Sequence, residues 1–483
     1  MRTLARRIGI VSLLLIVPAA AISQQPSVYR ASALPPHQQL ARDIYRQLVE
    51  INTADKTGNV TPAAVAMAQR FRDAGIPPAD IFVGGPRPEK HNVVARIRAR
   101  EGATRQPVLL LAHLDVVEAL KADWSSDLDP FVFTERDGYY YGRGTADDKA
   151  MAAIFVANVF RLKQEGYLPD RDIIIALTAD EEGGSANGVD WLLKNHRDKI
   201  DAALVINEGG GGTLRAGKPL FNAVQATEKI FANVTLRATN RGGHSSVPRP
   251  DNAITALADA LSKVARYNFP IQFNEVTREF FTKTALAETP EMARAMRALV
   301  ANPNDAAALA VVSSEPRYNS ILRTTCVPTL LKGGHAENAL PQLAEANVNC
   351  RMYPGSTAEQ TRAALAKVVN DTTVQVLASF PTRPPEPPTP LLSEVMQPIT
   401  RITREMFGDI PVVPFMSTGA TDARYFRQLG IPVFGVSGLF SDPTVDARAH
   451  GRDERMGIQS FFEGQEFLYR LTKALTQPLR MTP

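Results

Sequence analysis

Between Pro35 and about Gln225 the apolar positions fall into two kinds of run. Some recur every three or four residues, as from Gln38 to Val49 and from Lys149 to Glu165, and predict helices. Others are short and unbroken, as in VLLLAHLD ending at Asp115, DIIIALTAD ending at Asp180 and AALVINE ending at Glu208, the pattern of strands buried on both faces. Alternating strands and helices predict an α/β fold built on a mostly parallel sheet with helices on both faces. In such sheets ligands sit at the carboxyl ends of the strands, where His113, Asp180 to Glu182 and Glu208 fall.

From about Glu228 to Phe380 the order becomes strand (FANVTLRA), helix (Asn252 to Tyr267), two strands, helix (Ala358 to Val369) and strand (TVQVLAS), which predicts a smaller α+β unit inserted into the larger one. A helical stretch from about Thr277 to Val312, rich in Ala and Met, has no place in that pattern. The run TRPPEPPTP from Thr382 to Pro390 can continue neither a helix nor a central strand and reads as the hinge back. VVPF and PVFGVSG then complete the first sheet. The expected division is a larger unit in two parts, 35–225 and 383–478, around an inserted unit at 226–382.

A chain of 483 residues exceeds what one core usually supports, in keeping with that division. Residues 1–23 carry a basic start, an apolar run from Ile8 to Ala21 and small residues at the end, so a secretory signal and export to the periplasm or beyond are expected. Gly9, Ser12 and Pro18 interrupt a run shorter than the roughly 20 residues of a spanning helix, and no later segment is apolar for long enough to cross a bilayer. Removing the segment lowers the formal charge from +4 to about +1, and nothing in the charge pattern suggests a nucleic-acid partner. Cys326 and Cys350 are the only cysteines, so neither a disulfide framework nor a thiolate zinc site is available. Both lie in predicted strands, where one bridge and two unpaired thiols fit equally well.

Five separated segments carry the candidate chemistry: AHLD with His113 and Asp115, GRGTADDK with Asp147, TADEEGG with Glu181 and Glu182, INEGG with Glu208, and RAHG with His450. Singly, each has an ordinary explanation as a cap, a turn or a solvated loop. Together they supply the oxygen and nitrogen ligands of two divalent metals. Asp180, Glu181 and Glu182 strengthen the case, because adjacent carboxylates at the end of a buried strand repel unless cations or solvent answer them. His37, His91 and His196 read as surface residues and His335 stays ambiguous. His244, in the glycine-flanked loop NRGGHSS, can reach outward toward a substrate.

From about Leu40 to Phe467 the chain resembles the co-catalytic zinc amidohydrolases and peptidases, through the segments HLDVV, WSSDLDPF, YYGRGTADDKA, TADEEGG, NEGG, RGGHSS, NALPQLAEANVNCRMYPG, STGATDARYF and HGRDERM. That family includes glutamate carboxypeptidase, aminoacylase, succinyl-diaminopimelate desuccinylase and carboxypeptidase S, and the chain is most similar to the last branch. The resemblance implies two Zn2+ ions, with Co2+ or Mn2+ as substitutes, bridged by Asp147. His113 and Glu208 complete one site, and Glu182 and His450 the other. It further implies Glu181 as general base, Asp115 as the group orienting His113, and a cis peptide after Asp147. His244 becomes the oxyanion donor, often from a partner subunit, so the inserted unit is a lid and dimerisation domain of a homodimer. Asn338 and Arg351 match positions that hold the substrate's carboxylate. The expected activity is hydrolysis of an amide next to a free carboxylate, in a small peptide or an N-acyl amino acid. An aminopeptidase or dipeptidase of the same fold is the alternative, and an inactive binding protein the other.

Overall fold

The computed structural model describes residues 34–379 and 386–478. The expected signal at 1–23 and the first part of the Pro-rich connector lie outside the described residues. No helix among the described residues is long and apolar enough to cross a membrane.

The unbroken apolar runs form the centre of a ten-stranded sheet. Val108–His113 pairs in parallel with Ile173–Thr178 on one side and Leu204–Asn207 on the other. Alternate side chains of these strands enter different cores, as the period of two requires. Leu110, Ile175 and Ile206 face helices Pro36–Val49, Lys149–Gln164 and Ile458–Thr476, whereas Leu109, Ile174 and Val205 face Gly188–Asn195 and Ala423–Arg427. The α/β architecture with helices on both faces is therefore present. Its flanks add antiparallel members: Ile81–Gly84 and Asn92–Ile97 at one side, and the hairpin of Gly212–Arg215 with Lys218–Glu228 at the other. Val412–Ser417 and Val433–Gly435 complete the sheet as expected, each with a parallel partner.

A second, four-stranded sheet is wholly antiparallel, in the order Thr325–Gly333, Leu343–Met352, Ile230–Thr239, Val374–Ser379. Burial alternates along Ile230–Thr239 and Leu343–Met352, because helices Ala253–Arg266 and Ala358–Val369 cover one face only. Only Lys229 separates Lys218–Glu228 from Ile230–Thr239, so the chain passes from one sheet to the other without a loop. Cys326 faces Cys350 on neighbouring strands, and the two form a disulfide.

The helical stretch without a place becomes four helices, Glu275–Thr284, Pro290–Ala301, Ala306–Ser313 and Pro316–Leu322. Their shared core of Phe280, Phe281, Met296 and Tyr318 packs on Val413 and Met416 of the first sheet and on Tyr353, which follows the second. They form a core of their own on the first sheet and take no part in the core that covers the second.

Helix Pro36–Val49 is joined to the last helix through aromatic rings. Tyr45 stacks on Phe461 at 4.5 Å between centroids, and both are fully buried. Phe461→Ala is expected to lower stability by about 3–5 kcal/mol, measurable by urea denaturation.

Candidate metal centre

Three of the first sheet's parallel strands end at the site. His113 is the last residue of its strand, Glu208 follows Leu204–Asn207, and Glu181 and Glu182 follow Ile173–Thr178 after a bend at Asp180. Asp147 lies just before helix Lys149–Gln164, and its peptide bond to Asp148 is cis, as the resemblance implied. His450 comes from a loop near the chain's end. Asp180 and His450 both have positive φ, 65° and 64°, a backbone region in which Asp and His are among the few side chains found with any frequency.

These residues form two donor groups that share one carboxylate. His113, Asp147 and Glu208 place ligand atoms within 4.8 Å of one another, and so do Asp147, Glu182 and His450. Asp147 divides its oxygens between them: Oδ1 lies 2.9 Å from His113 Nε2, and Oδ2 lies 3.2 Å from His450 Nε2. Glu182 Oε1 is 2.8 Å from the same His450 nitrogen.

The charge balance shows what such a cluster needs. Burial, with the neighbouring Asp147 and Glu181 carboxylates, pushes Glu208 well above the usual carboxylate range. Burial, reinforced by Asp422, does the same to Glu181, and burial raises Asp422 itself to about 6. Asp147 would also rise on burial, but its contacts with His113 and His450 hold it below the usual range. Those hydrogen bonds raise His113 well above its ordinary value despite burial, and Asp147 and Glu182 raise His450 to about 10. Anionic oxygens thus crowd two imidazoles, a donor set that divalent cations fit.

One expected role changes. The strand stops at His113, and Asp115 meets the imidazole more closely through its main chain than through the carboxylate that the resemblance implied. His113 Nδ1 reaches the main-chain oxygen of Asp115 at 3.0 Å, while the Asp115 carboxylate lies 3.8 Å away. That carboxylate instead accepts the backbone N–H groups of Glu181 and Glu182, at 3.1 and 3.0 Å. Asp115 therefore orients His113 through its backbone and the Glu181–Glu182 turn through its side chain.

Three further supports went unread in the sequence. Glu454 Oε1 accepts the N–H groups of Ala146 and Asp147, at 2.8 and 3.3 Å, while Oε2 pairs with buried Arg143 at 2.5 Å. Its signal was present, four residues after His450 in HGRDERM. Buried Lys90 pairs with Asp180 at 2.7 Å, and Asn187 Nδ2 joins the Asp180 carbonyl to Asp422. Lys90 carried no signal, since nothing nearby in sequence is its partner.

The structure brings the five expected ligands and Glu181 together. It places His244, Asn338 and Arg351 elsewhere, and among the described residues no hydrogen bond or ion pair ties them to the cluster. His244 pairs with Ala339 in a short ribbon beside Asn338, whose carbonyl accepts from Ser245. His244 Nδ1 accepts the Ser246 N–H at 3.1 Å, which leaves Nε2 as the protonated nitrogen of the neutral ring. Arg351 lies on Leu343–Met352, 5.7 Å from the Phe231 ring, and burial lowers its pKa. Burial, with Arg351 nearby, lowers Lys229 to about 7.

Residues 109–474 match the peptidase family M20/M25/M40, and the chain belongs to that family. It is 30% identical over 378 residues to the human N-fatty-acyl-amino acid synthase/hydrolase PM20D1, covering 76% of this chain and 73% of that one. It is equally identical over 379 residues to the probable carboxypeptidase S-like 2 of Dictyostelium discoideum, covering 76% and 71%. In fold it is similar to the M20 metallo-carboxypeptidase Sso-CP2 of Sulfolobus solfataricus, with a TM-score of 0.66 at 19% identity over 90% of this chain and 99% of that one. The chain is a hydrolase acting on carbon–nitrogen bonds.

Asp115→Asn removes one of the two acceptors that hold the Glu181–Glu182 turn. Metal affinity is expected to fall about 10–100-fold, read by titrating loaded protein with a competing chelator.

Proposed function

We propose that the chain is a two-zinc hydrolase of N-acyl amino acids that cuts the amide bond next to the free carboxylate. The observation that carries this is the pair of donor groups sharing Asp147, with Glu181 beside them. Two imidazoles with carboxylates suit zinc, and Co2+ or Mn2+ fit the same donors. When bound, such ions lower the pKa of water and polarise a carbonyl.

The chain's own groups supply the rest. Glu181, its backbone held by Asp115, takes the water's proton and returns it to the leaving nitrogen. His244 donates from Nε2 to the developing oxyanion. Arg351 and Asn338 hold the substrate's carboxylate. The two relatives support the substrate class, one named for N-fatty-acyl amino acids and the other as a carboxypeptidase. The latter favours a second reading, a carboxypeptidase for which the acyl group is a peptide. Export through residues 1–23 belongs to the same proposal, on sequence alone.

We place the lid and dimerisation domain at 226–382. Thr325–Gly333 ends the second sheet as an edge strand, and Val327, Leu330 and Leu331 on it are all more than half exposed. An apolar edge strand exposed in this way pairs readily with another chain. The four extra helices pack on the first sheet and leave this edge open. A homodimer through it would let His244 act on the partner's site.

Glu181→Gln is expected to lower kcat about 10²–10⁴-fold on N-acyl amino acids with metal content unchanged. Retained activity would remove Glu181 as the base, and a preference for peptides over N-acyl amino acids in the unmodified enzyme would favour the carboxypeptidase. Leu331→Lys is expected to convert a dimer into a monomer in light scattering, with the melting transition preserved.

A further inference from the structure

A cavity of about 1140 Å³ adjoins the metal centre and plays no part in the chemistry so far described. Asp147 and Glu208 line one part of it. Much of the remaining wall is apolar: Met151, Phe407, Leu439, Phe440, Met456 and Ile458. The volume lies just above the roughly 300–1,000 Å³ usual for small-molecule sites. The lining residues come from the first sheet, from a small three-stranded sheet of Thr134–Arg136, Tyr139–Tyr141 and Arg455–Gly457, and from the helices and loops beside them, and none comes from the four-stranded second sheet.

That placement separates the two halves of a substrate whose scissile bond lies at the cluster. The carboxylate half needs positive charge, which Arg351 supplies from strand Leu343–Met352 of the second sheet. The cavity's own arginines are committed: Arg136 pairs with Asp127, and Arg455 with Asp446 at 2.8 Å. The cavity offers a carboxylate little, and an apolar chain much. We infer that it receives the acyl group of the substrate and selects long apolar chains over acetyl. The inference rests on the N-acyl-amino-acid reading and adds the location and length preference of the acyl site.

Each methylene taken out of water contributes about fourfold in binding. The zinc-loaded enzyme is therefore expected to hydrolyse acetyl-, hexanoyl- and decanoyl-phenylalanine with kcat/KM rising by about that factor per methylene until the cavity is filled. Leu214 lines the cavity from the hairpin strand Gly212–Arg215, away from every ligand. Leu214→Trp is expected to leave acetyl-phenylalanine hydrolysis within about twofold and to cut decanoyl-phenylalanine hydrolysis at least about tenfold, by shortening the space for methylenes. Calorimetric titration with decanoate should show the same loss in binding. A flat series from acetyl to decanoyl, or an undiminished decanoyl advantage in L214W, overturns the inference. If no acyl-phenylalanine is cleaved while peptides are, the underlying reading fails instead. The decanoate titration then decides the cavity alone: binding weakened by L214W supports an acyl site, and no binding overturns it.

Discussion

Negative charge held out of water is the constraint around which this protein is built. Asp115, Asp148 and Asp422 are buried, and Asp147, Glu181, Glu182 and Glu208 sit half-buried around them. A sheet of apolar strands offers little to offset such a concentration. The compensation comes in two rings. In the outer ring the chain uses its own groups: Lys90 on Asp180, Arg143 on Glu454, and backbone N–H groups on Asp115 and Glu454. In the inner ring Asp147 and Glu182 meet only imidazoles. The outer ring fixes where the inner carboxylates stand, and the inner ring is left for ions to complete.

The strands and their site residues were readable because apolar runs mark buried strands and the chemistry sits where those runs stop. The strand ends located His113, Glu182 and Glu208, while their roles as ligands came from the resemblance. The resemblance implied that Asp115 orients His113, but not that its carboxylate would also hold the Glu181–Glu182 backbone, because that contact joins the ends of two strands. Lys90 and Glu454 act on partners far away in sequence, and pairing of that kind leaves no periodic trace. The helices from Glu275 to Leu322 were visible as helices, but their packing face was not. An apolar stripe states that a partner exists without saying which. The disulfide was legible only as two cysteines in strands, because adjacency depends on the order of strands in the sheet.

The two sheets follow different rules of burial, and this separates their tasks. Strands covered on both faces hold ligands rigidly at their ends, whereas the one-sided second sheet keeps a polar face and a free edge. The groups proposed to handle substrate, His244, Asn338 and Arg351, all lie with the second sheet, apart from the metal ligands. The groups proposed to hold the substrate's carboxylate and oxyanion thus stand on a different sheet from the metal ligands and the proposed acyl cavity.

Tyr353 gives that separation a mechanical character. It ends the long strand Leu343–Met352, yet its hydroxyl lies 2.8 Å from Thr277 Oγ1 and accepts the Asn274 N–H at 3.0 Å, inside the helical cluster seated on Val412–Ser417. The second sheet is therefore fastened to the first through this cluster as well as through the crossing at Lys229. Packed helices as well as chain crossings thus hold the second sheet, an arrangement that opposes swinging as a door does. Motion of the second sheet over the metal centre has to slide packed helices against one another, which makes it a shear of small steps.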